Sequence, residues 1–126
     1  MFSDTKAFSG FAVNDLDKAR QFYGETLGIK TSSPDGGNML LTLHLAGDRD
    51  TMIYLKPDFT PATYTILNFQ VDDIDKAVDE LTSRGVTFEK YDGFGQDEKG
   101  IARDEGPHIA WFKDPAGNIL AVLQDV

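Results

Sequence analysis

The chain of 126 residues is long enough for one compact domain, and its 40% hydrophobic and 26% charged residues are ordinary for a globular protein. It contains no cysteine, which excludes disulfides and thiolate zinc sites, and no apolar run approaches the ~18 residues that a membrane span needs. A net charge of −9 without a cluster of Lys and Arg argues against nucleic-acid binding. The absence of cysteine fits a reducing compartment, so we expect a cytoplasmic domain with neither nucleic-acid nor membrane partners.

Nine residues near the start of the chain recur near its middle. Residues 11–19 read FAVNDLDKA and residues 69–77 read FQVDDIDKA, so that six of the nine positions are identical at an offset of 58. A repeat at about half the chain length indicates a duplicated structural unit. The sequence therefore predicts a single domain built from two modules, about 1–58 and about 62–126.

Both copies show the same local pattern, a strand that ends in valine and a helix that follows an aspartate N-cap and stops at a glycine. These residues are Val13, Asp15 and Gly28 in the first copy and Val71, Asp73 and Gly85 in the second. Three strand-like stretches follow each helix, at 29–33, 38–46 and 51–56 and at 86–91, 107–113 and 118–124. We therefore predict an α+β fold of two tandem βαβββ modules, in which a curved mixed sheet surrounds a cavity and the helices lie outside.

Three motifs carry a family resemblance. They are VNDLDKA at 13–19 running into Phe22-Tyr23 and Leu27-Gly28, its second copy at 71–77, and FKDPAGN at 112–118. Together they resemble the vicinal oxygen chelate superfamily, which includes glyoxalase I, extradiol dioxygenases and bleomycin-resistance proteins. Members of that superfamily often dimerise, so the resemblance implies a homodimer. The motifs are caps, a helix face and a turn, and they do not identify a reaction.

The metalloenzymes of that superfamily place four His, Glu or Gln ligands on the sheet faces around the cavity. The matching positions in this chain hold Phe8, Tyr54, Ile66 and Ala121. None of these side chains is an ordinary ligand for a transition metal. The resemblance therefore implies a protein without a metal or another cofactor, in which metal-dependent glyoxalase I or extradiol dioxygenase activity is not expected.

Strand alternation predicts which side chains line the cavity, because successive residues of a strand point to opposite faces. The predicted lining consists of Phe8, Thr42, His44, Met52, Tyr54, Ile66, Asn68 and Ala121. It is apolar and aromatic with a few hydrogen-bonding groups, as in pockets for organic ligands, although the same side chains could fill space as core. Strand 107–113 is apolar on both faces, so the pattern orients neither His108 nor Trp111.

Two further features allow a structural and a functional interpretation. His44 could be a general base, since imidazole titrates near neutral pH, or a hydrogen-bonded structural residue. No nucleophile paired with a base is evident in the sequence. The segment 92–106 is glycine-rich and polar, and is either a flexible surface loop or a lid with Phe94 as an apolar plug and Arg103 as the local cation.

Three functions follow from these features. The favoured hypothesis is a metal-free protein that binds a small, partly aromatic organic molecule, for sequestration or resistance. The alternative is a lyase, isomerase or dioxygenase-type enzyme of the same superfamily, with a relocated metal site or a metal-independent mechanism that uses His44 or Tyr54. The third is an interaction module without a ligand.

Overall fold

The structure is a computed structural model that describes residues 1–104 and 106–125. The chain forms two compact units, Met1–Thr60 (unit 1) and Pro61–Val126 (unit 2). The elements are β1 (Ser9–Val13), α1 (Leu16–Arg20), β2 (Lys30–Ser32), β3 (Leu40–His44), β4 (Thr51–Leu55), β5 (Thr65–Gln70), α2 (Ile74–Ser83), β6 (His108–Lys113) and β7 (Ile119–Gln124). The fold is α+β, as predicted. Within the described ranges, no helix has the length and apolar character that crossing a membrane requires.

Unit 1 contains a four-stranded sheet in the order β1-β4-β3-β2. The edge strand β1 runs parallel to β4, and the other neighbours are antiparallel. Helix α1 begins after Asp15, whose side chain accepts a hydrogen bond from the backbone N–H of Lys18 at 3.0 Å. The helix continues as a π-helical turn, Gln21–Thr26, and the chain then turns at Gly28, whose φ of 70° favours glycine.

One face of the first sheet packs against this helical segment. Leu41, Leu43 and Ile53 are completely buried on that face. Phe11 lies beside Ile53 in the register, and its ring centroid is 5.8 Å from that of Tyr23 in the π-helical turn. The apolar alternation of β3 and β4 therefore determines which face the helical segment covers.

Unit 2 repeats this arrangement in a three-stranded sheet of order β5-β7-β6, with β5 parallel to β7. Asp73 caps α2 by accepting from the N–H of Lys76 at 3.1 Å. The side chain of Gln124 on β7 accepts a second hydrogen bond from this helix end, from the N–H of Ile74 at 2.8 Å. The duplicated sequence thus folds into two units with the same local order of strand, helix and sheet.

The predicted strand at 86–91 is wrong in extent, because only a single bridge forms there, between Phe88 and Phe112. The side chain of Gln96 explains this difference. Its amide accepts from the N–H of Tyr91 at 2.6 Å and donates to the carbonyl of Glu89 at 2.8 Å, replacing partners that a strand ladder would supply. The bridge lies on the side of β6 that faces away from β7. In the first sheet, β2 occupies the corresponding position beside β3.

Candidate functional site

The face of the first sheet opposite Leu43 and Ile53 brings four of the predicted lining residues together. Thr42 pairs directly with Met52, and Tyr54 pairs with Ala12. His44 lies two residues from Thr42, so its side chain points to the same face. Thr42 is buried and its hydroxyl lies 3.8 Å from the sulfur of Met52, whereas Tyr54 is 43% exposed. The face combines apolar side chains with two hydroxyls and an imidazole.

Both ring nitrogens of His44 have hydrogen-bonding partners within unit 1. Its Nε2 lies 2.8 Å from Oγ of Ser32 on β2, and its Nδ1 lies 3.1 Å from Oδ1 of Asp50 in the turn before β4. No nucleophile paired with a base was evident in the sequence, and the structure corrects this. The pairing of β2 with β3 sets Ser32 opposite Thr42 and on the same face, where its hydroxyl reaches the imidazole.

In the second sheet, the register orients the two residues that the sequence left undetermined. Trp111 and Asn68 both pair with Ala121, so all three side chains lie on one face. His108 pairs with Gln124, whose side chain bonds the start of α2, and it therefore lies on the opposite face. Trp111 thus joins the predicted lining face, and His108 does not.

Two predicted lining residues lie at irregular places. Phe8 precedes β1 and is 72% exposed. The register of β5 with β7 shifts between Thr65 and Leu67, so the simple alternation that oriented Ile66 does not extend through this point. A contribution of Phe8 and Ile66 to a ligand site stays a prediction from the sequence.

A cleft of about 510 Å³ lies within unit 2, and we refer to it as the aromatic cleft. It is lined by Gly93, Phe94, Gly95, Ala102, Asp104, Ile109 and Trp111. The rings of Phe94 and Trp111 meet edge to face with centroids 5.1 Å apart, and Tyr91 contacts both rings. Burial, with a smaller contribution from the charge of Glu89, raises the pKa of Tyr91, so the phenol is neutral at physiological pH.

The segment after Tyr91 is ordered by contacts with β6 and with α2. Ala102 exchanges two backbone hydrogen bonds with Ile109, of 2.8 and 3.1 Å, and thereby extends the edge of β6. Arg103 forms ion pairs with Asp75 in the first turn of α2 at 2.7 Å and with Asp97 at 3.3 Å. The expected flexible loop is thus attached to the sheet, and the local cation is paired with two carboxylates. Phe94 lines the cleft and is 53% exposed, and its role as a lid stays a prediction from the sequence.

The residues at the superfamily's metal positions do not fit a metal ion. In the structure Tyr54 lies beside Ala12, and Ala121 lies between Asn68 and Trp111. Neither neighbourhood offers the imidazole and carboxylate groups that transition metals prefer. Across residues 1–104 and 106–125, no group of three or more His, Cys, Asp or Glu side chains is arranged to hold a metal ion.

Comparison with known families identifies the class of protein. The family model of the glyoxalase/bleomycin resistance protein/dioxygenase superfamily matches residues 7–122. The chain therefore belongs to this superfamily. A comparison with curated proteins finds no match.

Solved structures show the same fold. TnmS3, an antibiotic binding protein from Streptomyces sp. CB03234, is 25% identical, with 98% of each chain covered and a TM-score of 0.73. A superfamily member from Sphaerobacter thermophilus is 27% identical, with 95% of this chain and 98% of that chain covered and a TM-score of 0.70. The fosfomycin resistance protein FosX from Mesorhizobium loti is 13% identical, with 98% of this chain and 93% of that chain covered and a TM-score of 0.65, and this likeness shows the fold alone.

Proposed function

We propose that this protein binds a small, partly aromatic organic molecule without a metal ion, and that the aromatic cleft of unit 2 receives the ring system of the ligand. The observation that carries the proposal is the meeting of Phe94 and Trp111 around a cleft of about 510 Å³. Small-molecule pockets are typically ~300–1,000 Å³ in volume and are lined by aromatic side chains with a few polar groups. The cleft has this size and composition.

The aromatic side chains favour a flat ligand. Phe94 is 53% exposed, so its ring is accessible to a ligand that packs beside Trp111. Ile109 and Ala102 supply further apolar surface to the lining of the cleft. A ring of the ligand can pack against these side chains in the offset-stacked or edge-to-face arrangements that aromatic pairs prefer. Each such pair contributes about 0.5–1.5 kcal/mol beyond the contribution of the buried surface area. Binding would therefore depend on ring stacking more than on hydrogen bonds.

The charge of the cleft favours a cationic group on the ligand. Asp104 is the acidic member of its lining, and among the described residues its carboxylate forms no ion pair with Lys or Arg. A Cβ at Gly95 would collide with this carboxylate, so glycine provides the room that the carboxylate occupies. A cation over Trp111 would gain about 0.5–2 kcal/mol from the ring, in addition to its attraction to Asp104. The net charge of −9 acts in the same direction.

The comparisons support a binding role in a general way. TnmS3, at 25% identity over nearly the whole chain, is an antibiotic binding protein. Proteins of one fold can bind different ligands, but TnmS3 makes the binding of an antibiotic one known use of this architecture. Homodimer formation and a cytoplasmic location stay predictions from the sequence.

The charge preference can be measured with two dyes of nearly equal shape, because the chain contains a single tryptophan that lines the cleft. At mildly alkaline pH N-methylacridinium is cationic and acridine is neutral. We expect both dyes to quench the Trp111 fluorescence in a saturable manner, and the cation to bind at least about tenfold more tightly, a difference of about 1.4 kcal/mol. Replacing Asp104 with Asn should reduce the ratio of the two affinities to below about threefold.

The matched control for this prediction is Asp92→Asn, which removes an exposed carboxylate that does not line the cleft. It should leave both affinities within about twofold of the parent protein, since a charge outside the cleft is separated from the ligand by solvent and salt that screen it. Equal affinities of the parent protein for the two dyes would contradict the role of Asp104. A lack of saturable quenching by either dye would contradict an aromatic ligand at Trp111.

The metal-free state has a direct test. The protein should contain less than about 0.1 equivalent of Ni, Zn, Mn or Fe when purified without chelators, because Phe8, Tyr54, Ile66 and Ala121 offer no suitable ligand set. Elemental analysis by mass spectrometry measures this content, and dialysis against EDTA should leave dye binding unchanged. A stoichiometric metal whose removal abolishes binding would show that the superfamily's site has moved to other residues.

A further inference from the structure

The hydrogen bonds of His44 form a continuous chain of three side chains in unit 1. Ser32 Oγ lies 2.8 Å from Nε2, and Asp50 Oδ1 lies 3.1 Å from Nδ1. An ionised carboxylate can only accept, so the contact with Asp50 requires that Nδ1 carries a proton. In the neutral imidazole Nε2 then has a free lone pair and accepts the hydroxyl proton of Ser32. The tautomer that results is the one that a general base needs.

We propose that Ser32, His44 and Asp50 form a serine nucleophile site that accepts the acyl group of activated carboxylic esters. Such triads are defined by geometry and roles and not by their order in the sequence. Here the hydroxyl, the imidazole and the carboxylate come from β2, from β3 and from the turn before β4. The proposal concerns unit 1 alone and is independent of the aromatic cleft of unit 2.

The position of the three residues leaves the nucleophile accessible. Ser32 is exposed on the edge strand β2, and the His44 side chain is 34% exposed. Thr42 lies directly opposite Ser32 in the register and shares its face, and Met52 follows on the next strand. A small acyl group bound to Ser32 would therefore lie beside Thr42, whose hydroxyl lies 3.8 Å from the sulfur of Met52. Because the site is open to water, it suits small esters with good leaving groups.

The reaction needs no cofactor. Ser32 Oγ forms a bond to the carbonyl carbon while its proton moves to His44 Nε2. The ester C–O bond then breaks, and the leaving group either takes the proton from Nε2 or departs as a phenolate while Nε2 releases that proton to solvent. Water, deprotonated in turn by Nε2, attacks the acyl-serine and releases the carboxylic acid, which restores the Ser32 hydroxyl. Asp50 stabilises the imidazolium that forms in both steps and keeps the ring oriented.

The experiment uses the full chain and p-nitrophenyl acetate, with release of p-nitrophenolate as the rate and mass spectrometry of peptides as the locator of the acetyl group. We expect acetylation at Ser32 and a rate that falls at least about tenfold in Ser32→Ala and in His44→Gln. Asp50→Asn should lower the rate as well, because the imidazole is no longer held in the required tautomer. Thermal melting of each variant checks that the exposed substitutions leave the fold intact.

The chain offers matched controls for the serine and the histidine substitutions. Ser33→Ala changes the serine next to Ser32, and His108→Gln changes the only other histidine, which lies in unit 2. Both should retain the parent rate within about twofold. A Ser32→Ala variant that reacts as fast as the parent, or an acetyl group found on Lys or His but not on Ser32, would overturn the proposal. The three side chains would then serve only to connect β2, β3 and the turn before β4.

Discussion

Replacing Trp111 with Ala is expected to weaken binding of N-methylacridinium by at least about 30-fold, because an aromatic anchor of a binding site commonly contributes about 2 kcal/mol or more. The indole contacts both Phe94 and Tyr91, so its loss removes the surface on which a ligand ring packs and leaves Phe94 in contact with Tyr91 alone. Isothermal titration calorimetry is the suitable measurement, since the variant no longer has the fluorescent reporter.

Two further variants test whether the loss of affinity comes from the aromatic ring of Trp111. Trp111→Phe keeps a ring at the same place on β6 and should lose less than about fivefold in affinity. Tyr64→Ala removes an aromatic side chain of unit 2 that is 70% exposed and does not line the cleft, and it should bind as the parent protein does. An alanine variant that melts like the parent and binds with parental affinity would show that the ligand site lies elsewhere.

Replacing Asp97 with Ala is expected to lower the free energy of unfolding by about 2 kcal/mol and to weaken dye binding at the same time. One carboxylate oxygen of Asp97 accepts from the N–H groups of Lys99 and Ile101, both at 2.9 Å, and the other accepts from Arg103 at 3.3 Å. Alanine leaves these partly buried donors without a partner, which typically costs about 1–3 kcal/mol. The same segment carries Phe94, so the cleft should lose its shape.

The neighbouring Glu98 provides the control, because it is exposed and Glu98→Ala removes a carboxylate of the same segment. That variant should stay within about 0.5 kcal/mol of the parent in urea unfolding. An Asp97→Ala variant that is as stable as Glu98→Ala would show that the backbone of the segment holds itself in place.

The contribution of Asp97 to the free energy of unfolding should decrease at low pH. Burial acts to raise the pKa of Asp97, but the hydrogen bonds from Ile101, Arg103 and Lys99 outweigh it and hold the pKa below the ordinary value of 3.8. The pKa of Asp75 is likewise lowered, first by the hydrogen bond from Arg103. A lowered folded-state pKa gives stability that is present above the unfolded value and is lost as the pH falls through the folded value. The stability difference between the parent and Asp97→Ala should therefore shrink below a pH of about 4.

The sequence determined the repeated local structure of the chain. Asp15 and Asp73 cap their helices as predicted, and the alternation of β3 and β4 placed Thr42 and Met52 on one face. Such features depend on residues within one helical turn or one strand, so their pattern is visible along the chain. This is why the amino-acid sequence alone was sufficient to predict the fold class and the superfamily.

Features that depend on distant partners could not be read in this way. The strand expected at 86–91 loses its backbone partners to the side chain of Gln96. Arg103 appeared as a free cation of a lid, but Asp75, distant in sequence, pairs with it. The sequence contains all these groups, but nothing in their local spacing indicates which of them will meet.

The repeated module shows which features the sequence determines and which depend on the tertiary structure. By itself the sequence determined that two copies of one unit exist, where each capped helix begins, and that the residues at the superfamily's metal positions are Phe8, Tyr54, Ile66 and Ala121. Only the tertiary structure decided that Trp111 shares a face with Asn68 and that Ser32 reaches His44. The physical reason is that periodicity and capping act over a few residues, whereas the register between strands sets contacts between residues that are far apart in the chain.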